Sequence, residues 1–389
     1  MLVGERQPVN IAVKGEKIVA ITGKAIDHPD NFQIQFAEAI AFPGLINSHD
    51  HLDFNCFSIL GKNTYPNYSD WGNHIHESFK GEIEATLQIP VRMRAAWGMY
   101  KNLVTGVTTV VNHGRFLKIP NPIINIYQKA QNIHSVLFEK KWKWKLNNPM
   151  LKNKVCVIHT GEGVDEQSHK EISELLKYNL LRKDLIAVHG VAMDVTQADK
   201  FKGLIWCPES NRVLLNKHAN IEYLKAHTTL VFGTDSTLTG SWNIWEHLRL
   251  ARSLQQVNDM ELFKMVTSSP ARLWNMNCGE LAVNKDADIV IAKINFETAT
   301  LSNFYNINPE NILMVIHKGN IRMFDKTMLS QLNGLKLNLT GFNRISINGD
   351  IKHVKGDLPT LMKAIRQHHP RVNLPFDIYE ENSSYHTNG

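Results

Sequence analysis

The sequence predicts an α/β chain: a closed (β/α)8 barrel beside a small β-sandwich formed from both chain ends. Three observations predict it. Between Pro43 and Cys278, short apolar runs alternate with longer stretches whose apolar residues recur at helical spacing. Strand-like runs without intervening helices stand before and after that region. Side chains able to hold a metal recur just after the strand-like runs, at the rim where a TIM-like barrel carries its chemistry.

The elements follow in order. Residues 9–13, 17–22 and 32–36 read as strands, parted by the turn residues Lys14-Gly15-Glu16 and His28-Pro29-Asp30. An apolar run, residues 39–46, leads into the first histidines and would open the barrel. Residues 106–111, 155–159, 185–189, 204–207 and 230–233 are further barrel strands, and 91–103, 170–181 and 243–254 are crossover helices. Roughly 235 residues in this pattern suit one closed barrel, assigned to residues 43–278. Strands return at 288–292, 312–316 and 320–324, so residues 1–42 and 279–330 form the sandwich domain. Residues 331–389 are a C-terminal extension of unknown role. Within it, 342–354 alternates around Asn348-Gly349-Asp350 as a hairpin, 358–368 has helical spacing, and 380–389 frays.

Composition narrows the class. The 389 residues are 43% hydrophobic and 21% charged, with a net charge of +6, ordinary for a large globular chain. No run approaches the roughly 20 apolar residues of a membrane span, so no membrane contact is expected. The start lacks a basic region followed by an apolar one, so no signal peptide is read there. Cys56, Cys156, Cys207 and Cys278 are widely spaced, which fits a reducing cytoplasm and no disulfide framework. Cys156 and Cys207, in apolar runs, read as packed thiols. The cluster Lys140-Lys141-Trp142-Lys143-Trp144-Lys145 is too short for a nucleic-acid face. It reads as a solvated strand or loop with its tryptophans turned inward.

The chemistry begins at Pro43-Gly44-Leu45-Ile46-Asn47-Ser48-His49-Asp50-His51. In an extended strand, residues i and i+2 share a side, so His49 and His51 aim two imidazoles at one point. His159, His189 and Asp235 stand at the ends of later strand-like runs. Three histidines and an aspartate can hold a divalent ion with a position open for water. Glu162, three residues beyond His159, can lie beside that ion without binding it and carry a proton between water and a leaving nitrogen. Asp235 can both hold the ion and accept a proton. His189 completes the metal set or hydrogen-bonds a developing anion.

These pieces, with Gly106-Val107-Thr108-Thr109-Val110, Ala187-Val188-His189-Gly190, Trp206-Cys207-Pro208-Glu209-Ser210-Asn211, Phe232-Gly233-Thr234-Asp235-Ser236, Ser269-Pro270-Ala271-Arg272-Leu273-Trp274 and the stretch 279–288, run in a recognisable order. The chain resembles the amidohydrolase superfamily, in the aminohydrolase and chlorohydrolase branch that includes triazine hydrolases and deaminases. The resemblance covers residues 1–325. It implies one divalent metal per chain, zinc or alternatively iron, held by His49, His51, His159 and Asp235. It implies Glu162 as proton shuttle and His189 orienting water or substrate. The expected reaction is hydrolysis of a carbon–nitrogen bond other than a peptide bond, by metal-activated hydroxide: deamination of a heterocycle or cyclic amidine. The alternatives are a mono- or binuclear cyclic amide hydrolase resembling dihydroorotase or imidazolonepropionase, and a non-catalytic scaffold. A second metal would need a carboxylated lysine, for which Lys140, Lys141, Lys143 and Lys145 are placed.

The chain departs from the family pattern between Tyr127 and Lys154, too brief for two strands with their helices. Candidate substrate contacts are His113 with Arg115, Glu209, and Trp71 in the long loop after His51, where Tyr65 and Tyr68 also lie. Ser210 and Asn211 read as a structural turn, and Glu246 as a solvated helix carboxylate. The partner is a small-molecule substrate, and a homodimer is the default assembly.

Overall fold

The computed structural model describes residues 1–3, 7–26, 32–61, 64–294 and 300–379. The chain opens with an antiparallel hairpin, β1 (Asn10–Lys14) and β2 (Lys17–Thr22), whose turn uses Gly15 at a φ of +58°. The turn expected at His28-Pro29-Asp30 lies outside the described residues. The strand expected at 32–36 does not form. There the Gln331 side chain satisfies the backbone of Gln35, accepting from its N–H at 2.5 Å and donating to its carbonyl at 3.1 Å, in place of a neighbouring strand. β3 (Ala39–Pro43) follows.

Eight parallel strands come next: β4 (Leu45–Asp50), β5 (Val107–Asn112), β6 (Asn125–Tyr127), β7 (Gln131–Ser135), β8 (Cys156–Thr160), β9 (Leu185–His189), β10 (Gly203–Trp206) and β11 (Thr229–Phe232). They form two sheets, β4-β5-β6 and β11-β10-β9-β8-β7. Backbone hydrogen bonds join β4 to the segment after β11: Thr234 and Asp235 N–H donate to the His49 carbonyl at 3.1 and 3.0 Å. On the other side, only residues 128–130 separate β6 from β7. A parallel crossover needs a dozen residues or more, so β6 and β7 are successive pieces of one kinked line. The first piece pairs with β5 and the second with β8. Among the described residues the eight parallel strands thus stand in two sheets, parted at the short β6–β7 link.

The crossover helices lie close to their expected places. Val91–Val104 and Ile244–Ser253 pack apolar faces onto the strands. The helix expected at 170–181 is Glu166–Lys177, because Asp165 caps it by accepting from Ser168 N–H. The basic cluster is a short helix, Trp142–Leu146, in place of a strand or loop. Trp142 is buried as expected, but Trp144 is 83% exposed, since a helical turn puts the two on different faces.

After the parallel body come β12 (Ile289–Lys293), β13 (Ile312–His317), β14 (Asn320–Asp325), β15 (Phe342–Ile347), β16 (Asp350–Lys355) and β17 (Asp377–Ile378). With β3 they make one sheet in the order β17-β15-β16-β14-β13-β12-β3, so both chain ends meet at the β3–β12 pair. The β1–β2 hairpin shares its core through Ile18, packed with Ile289, Met314 and Phe324. The extension is therefore part of this sheet: β15 and β16 form the expected hairpin, and β16 pairs with β14. The expected helix, Leu358–His368, and the segment after it pack onto the barrel helices. Phe376 stacks on Trp97 at 4.7 Å between ring centroids. The expected fraying at 380–389 lies outside the described residues.

Candidate active site

His49 lies in β4 and His51 follows it; His159 lies in β8; Asp235 lies just after β11. All four side chains are buried, and each offers one ligand atom within 4.8 Å of the others. His159 Nε2 stands 3.1 Å from His49 Nε2 and 3.4 Å from His51 Nε2. Asp235 Oδ1 is 3.4 Å from His49 Nε2 and 3.5 Å from His51 Nε2. Nitrogen ligands about 2.05 Å from a tetrahedral zinc are separated by roughly 3.3 Å, so the donor set already has the spacing of a single divalent ion. Without an ion, imidazole nitrogens crowded this closely would have little reason to converge.

Each ligand is aimed by a neighbour. His159 Nδ1–H donates to the His134 carbonyl at 2.8 Å, leaving Nε2 free to ligate. Asp235 Oδ2 accepts from Ser210 Oγ at 2.8 Å and Thr239 Oγ1 at 2.9 Å, which leaves Oδ1 facing the histidines. Asp235 and His189 both sit at positive φ, +61° and +70°, a costly conformation for these residues that the surrounding strands enforce. Between the two first histidines, Asp50 points the other way. Its buried carboxylate accepts from Lys101 Nζ at 2.8 Å, Asn102 Nδ2 at 2.8 Å and Asn55 Nδ2 at 2.7 Å. That network fixes the turn of the His49-Asp50-His51 segment.

The electrostatics suit a ligand set. Burial, reinforced by the neighbouring His49, lowers the His51 pKa to about 4, and burial lowers that of His189 to about 3. His159 and His113 are held well below the usual range by burial and then by their neighbouring histidines. Neutral imidazoles are what a metal needs. For Asp235, burial opposes ionisation, but the hydrogen bond from His49 and the facing imidazoles of His51 and His189 outweigh it and hold its pKa well below normal. Glu162 goes the other way: burial, then the Asp235 and Glu171 carboxylates, raise it well above the ordinary range. Glu162 Oε2 is 3.4 Å from His189 Nε2 and has no hydrogen-bond partner. Asn211 Nδ2 is 2.9 Å from His189 Nδ1, and an amide N–H donating there leaves the ring proton on Nε2, toward Glu162. Asn211 thus does more than tie a turn.

Of the expected substrate contacts, His113 is in place. It is buried, both ring nitrogens lack partners, and its ring lies 4.5 Å from that of His159 and 5.0 Å from that of His49. Trp71 is not. Its Nε1 donates to the Leu60 carbonyl at 2.9 Å and its ring packs among Phe57, Leu60 and Ile75, so it holds the loop together. Tyr68 takes its place: it stacks parallel to His159 at 6.4 Å, and its hydroxyl is 3.0 Å from His134 Nε2. Glu209 is buried, with His247 Nε2 3.0 Å from its Oε2. Arg115 is exposed and pairs with Asp53, and Glu246 is exposed. Lys140 and Lys141 are exposed, while Lys143 and Lys145 pair with Glu174 and Glu139. None of the four joins the metal group.

Sequence reading missed His134, Lys101 and Glu171, and did not rank Tyr68 above its loop neighbours Tyr65 and Trp71. Lys101-Asn102 among the apolar residues of the second half of Val91–Val104 was a usable signal. A cleft of about 10 Å³ adjoins the cluster, lined by Tyr68, Ser135, His159, Glu162, Ser168 and Glu171. That is room for about one water. A larger open depression of about 530 Å³ lies on the outer helices near Arg252, whose charge is already paired with Asp259. It is unrelated to this chemistry.

Residues 151–322 match the model of the amidohydrolase family. A 5'-deoxyadenosine deaminase of Methanosphaera stadtmanae is 26% identical over 208 residues, 47% of this chain and 49% of that protein. The chain therefore spans about half the length of this curated relative. The zinc-bound adenosine deaminase of Xanthomonas campestris superposes with a TM-score of 0.66 at 16% identity, over 94% of this chain and 93% of that one. The zinc-bound atrazine chlorohydrolase of Arthrobacter aurescens gives 0.67 at 16% identity, over 86% and 98%. Residues 151–322 are thus similar to the amidohydrolase family, the structural likenesses carry the fold, and the ligand positions above are this chain's own geometry.

Proposed function

We propose that the chain is a metal-dependent aminohydrolase that releases ammonia from an amino-substituted heterocycle, with adenine-type nucleosides the first class to test. The observation that carries this is the juxtaposition of a three-histidine, one-aspartate donor set with a buried carboxyl, Glu162, whose Oε2 is unpartnered. The substrate class draws on the nucleoside deaminase named among the relatives. The same reading takes residues 43–278 as the hydrolase body, with 1–42 and 279–330 as the flanking domain and 331–389 as its continuation. Four buried, unpaired thiols suit a reducing cytoplasm.

His49, His51, His159 and Asp235 would hold one divalent ion, zinc by its fit to this donor set. Bound there, it supplies Lewis acidity that brings a water's pKa from about 16 toward 7. The chain's residues do the rest. Glu162, whose pKa burial raises well above the ordinary carboxyl range, takes a proton from the attacking water and delivers it to the nitrogen side of the substrate. As the carbon–oxygen bond forms and the carbon–nitrogen bond breaks, the amine leaves as ammonia. His189 Nε2–H and the neutral His113 are placed to hydrogen-bond the developing charge and the ring. Asp235 would contribute Oδ1 to the ion and could accept the second proton of the attacking water.

Glu162→Gln tests this. The prediction is loss of ammonia release by at least about 10²-fold with metal content unchanged. Near-normal turnover in that variant rules out Glu162 as the shuttle.

A further inference from the structure

We propose that Glu171 is a positioning residue that fixes Glu162 through the backbone, without touching the reacting groups. The inference rests on the hydrolytic reading, in which Glu162 moves the proton.

A carboxyl that must gain and lose a proton cannot have its working oxygen saturated by hydrogen bonds. Glu162 Oε2 is buried and unpartnered. Beside the His189 Nε2 that faces it at 3.4 Å, its aim comes from the main chain of the turn after β8. That turn is clamped at successive peptides. Gly161 N–H donates to Glu171 Oε1 at 2.6 Å, Ala192 N–H donates to the Gly161 carbonyl at 2.9 Å, and Tyr68 N–H donates to the Glu162 carbonyl at 3.0 Å. Glu171 is the side-chain member of this set, so substitution can remove it alone.

The sequence is built for the contact. Glu171 sits on the inward face of the helix Glu166–Lys177, with Ser168, Ile172 and Leu175, where an apolar residue would ordinarily stand. A buried carboxyl is costly unless it is bonded. Gly161 has a φ of +63°, and a Cβ there would come within 2.8 Å of Ile172 Cδ1. Glycine thus permits both the turn and the close approach of the helix. His159, two residues before Gly161, is anchored separately by the His134 carbonyl, so loosening the turn should displace Glu162 and leave the metal set alone.

The test compares Glu171→Met, which keeps the volume and leaves the Gly161 N–H unpaired, with Glu171→Gln, which restores an acceptor oxygen. In metal-loaded protein, E171M should exchange its Gly161 amide hydrogen about tenfold faster, the effect of one lost hydrogen bond. Its kcat for the best substrate should fall about 10- to 100-fold, with KM and metal content within about twofold. E171Q should stay within about threefold of the parent in exchange and kcat. The proposal is overturned if E171M keeps parental exchange and kcat, if E171M loses metal, or if E171Q is as impaired as E171M. Absence of ammonia release from the parent protein ends the hydrolytic reading instead, and the exchange comparison alone then decides the clamp.

Discussion

Two buried carboxyls beside the site make its residues sensitive to pH in a predictable sense. Burial pushes the Glu171 pKa up to about 7, helped by Asp165 and Glu174 and opposed by the Gly161 amide. Its folded value lies above the unfolded one, so between about pH 4.5 and 7 the native state holds a proton that the unfolded chain has released. Stability from this group is complete below that window and is lost as pH rises through it, by roughly 3 kcal/mol. Glu171→Gln should flatten that part of a urea-denaturation pH profile. Lys101→Met makes a second case, since it strands the buried Asp50 carboxylate under the metal loop and should cost about 3–5 kcal/mol, read from the shift in denaturation midpoint. His49, His51, His159 and Asp235 were legible as a group because each stands at or just after the end of a strand-like run, though the runs lie far apart in the chain. Lys101, His134 and Glu171 were not, because each acts across the fold on a residue distant in sequence. Trp71 was misplaced for a related reason: in a loop rich in aromatics, Trp71, Tyr68 and Tyr65 cannot be ranked until helix phase shows which faces the site.

Elements with strong local signals were read well. The helix Val91–Val104 has helical apolar spacing, and the β15–β16 hairpin has its turn residues Asn348 and Gly349 at φ of +48° and +91°. The misses came from competition that sequence does not display. Residues 32–36 lost their strand to the Gln331 side chain, and β6 and β7 lost a crossover to a three-residue link. The contact between extension and barrel concentrates at Phe376, which stacks on Trp97 and meets Trp242 edge-on at 5.8 Å. Phe376→Ala should cost about 3–5 kcal/mol by denaturant unfolding while leaving metal content unchanged. A cost under about 1 kcal/mol, the size of a surface effect, would show that the extension docks without contributing to stability.

At the scale of the molecule, the β3–β12 pair ties the start of the chain to its later half, directly beneath the strand that ends in His49 and His51. The C-terminal extension continues the same sheet, so ending the chain at residue 330 should uncover the edge of β14 and lower soluble yield sharply. The fold and the candidate metal group together underlie the central proposal, that this chain breaks a carbon–nitrogen bond using a single ion. The most direct measurement is ammonia release from adenosine-type nucleosides, free purines, pyrimidines, triazines, pterins and cyclic amidines, by protein of determined metal content. The account predicts ammonia from one compound class with about one zinc per chain, the stoichiometry of a four-ligand site, and none after metal removal. Turnover that persists without metal, or two metals per chain with cyclic amide opening and no ammonia, would contradict it.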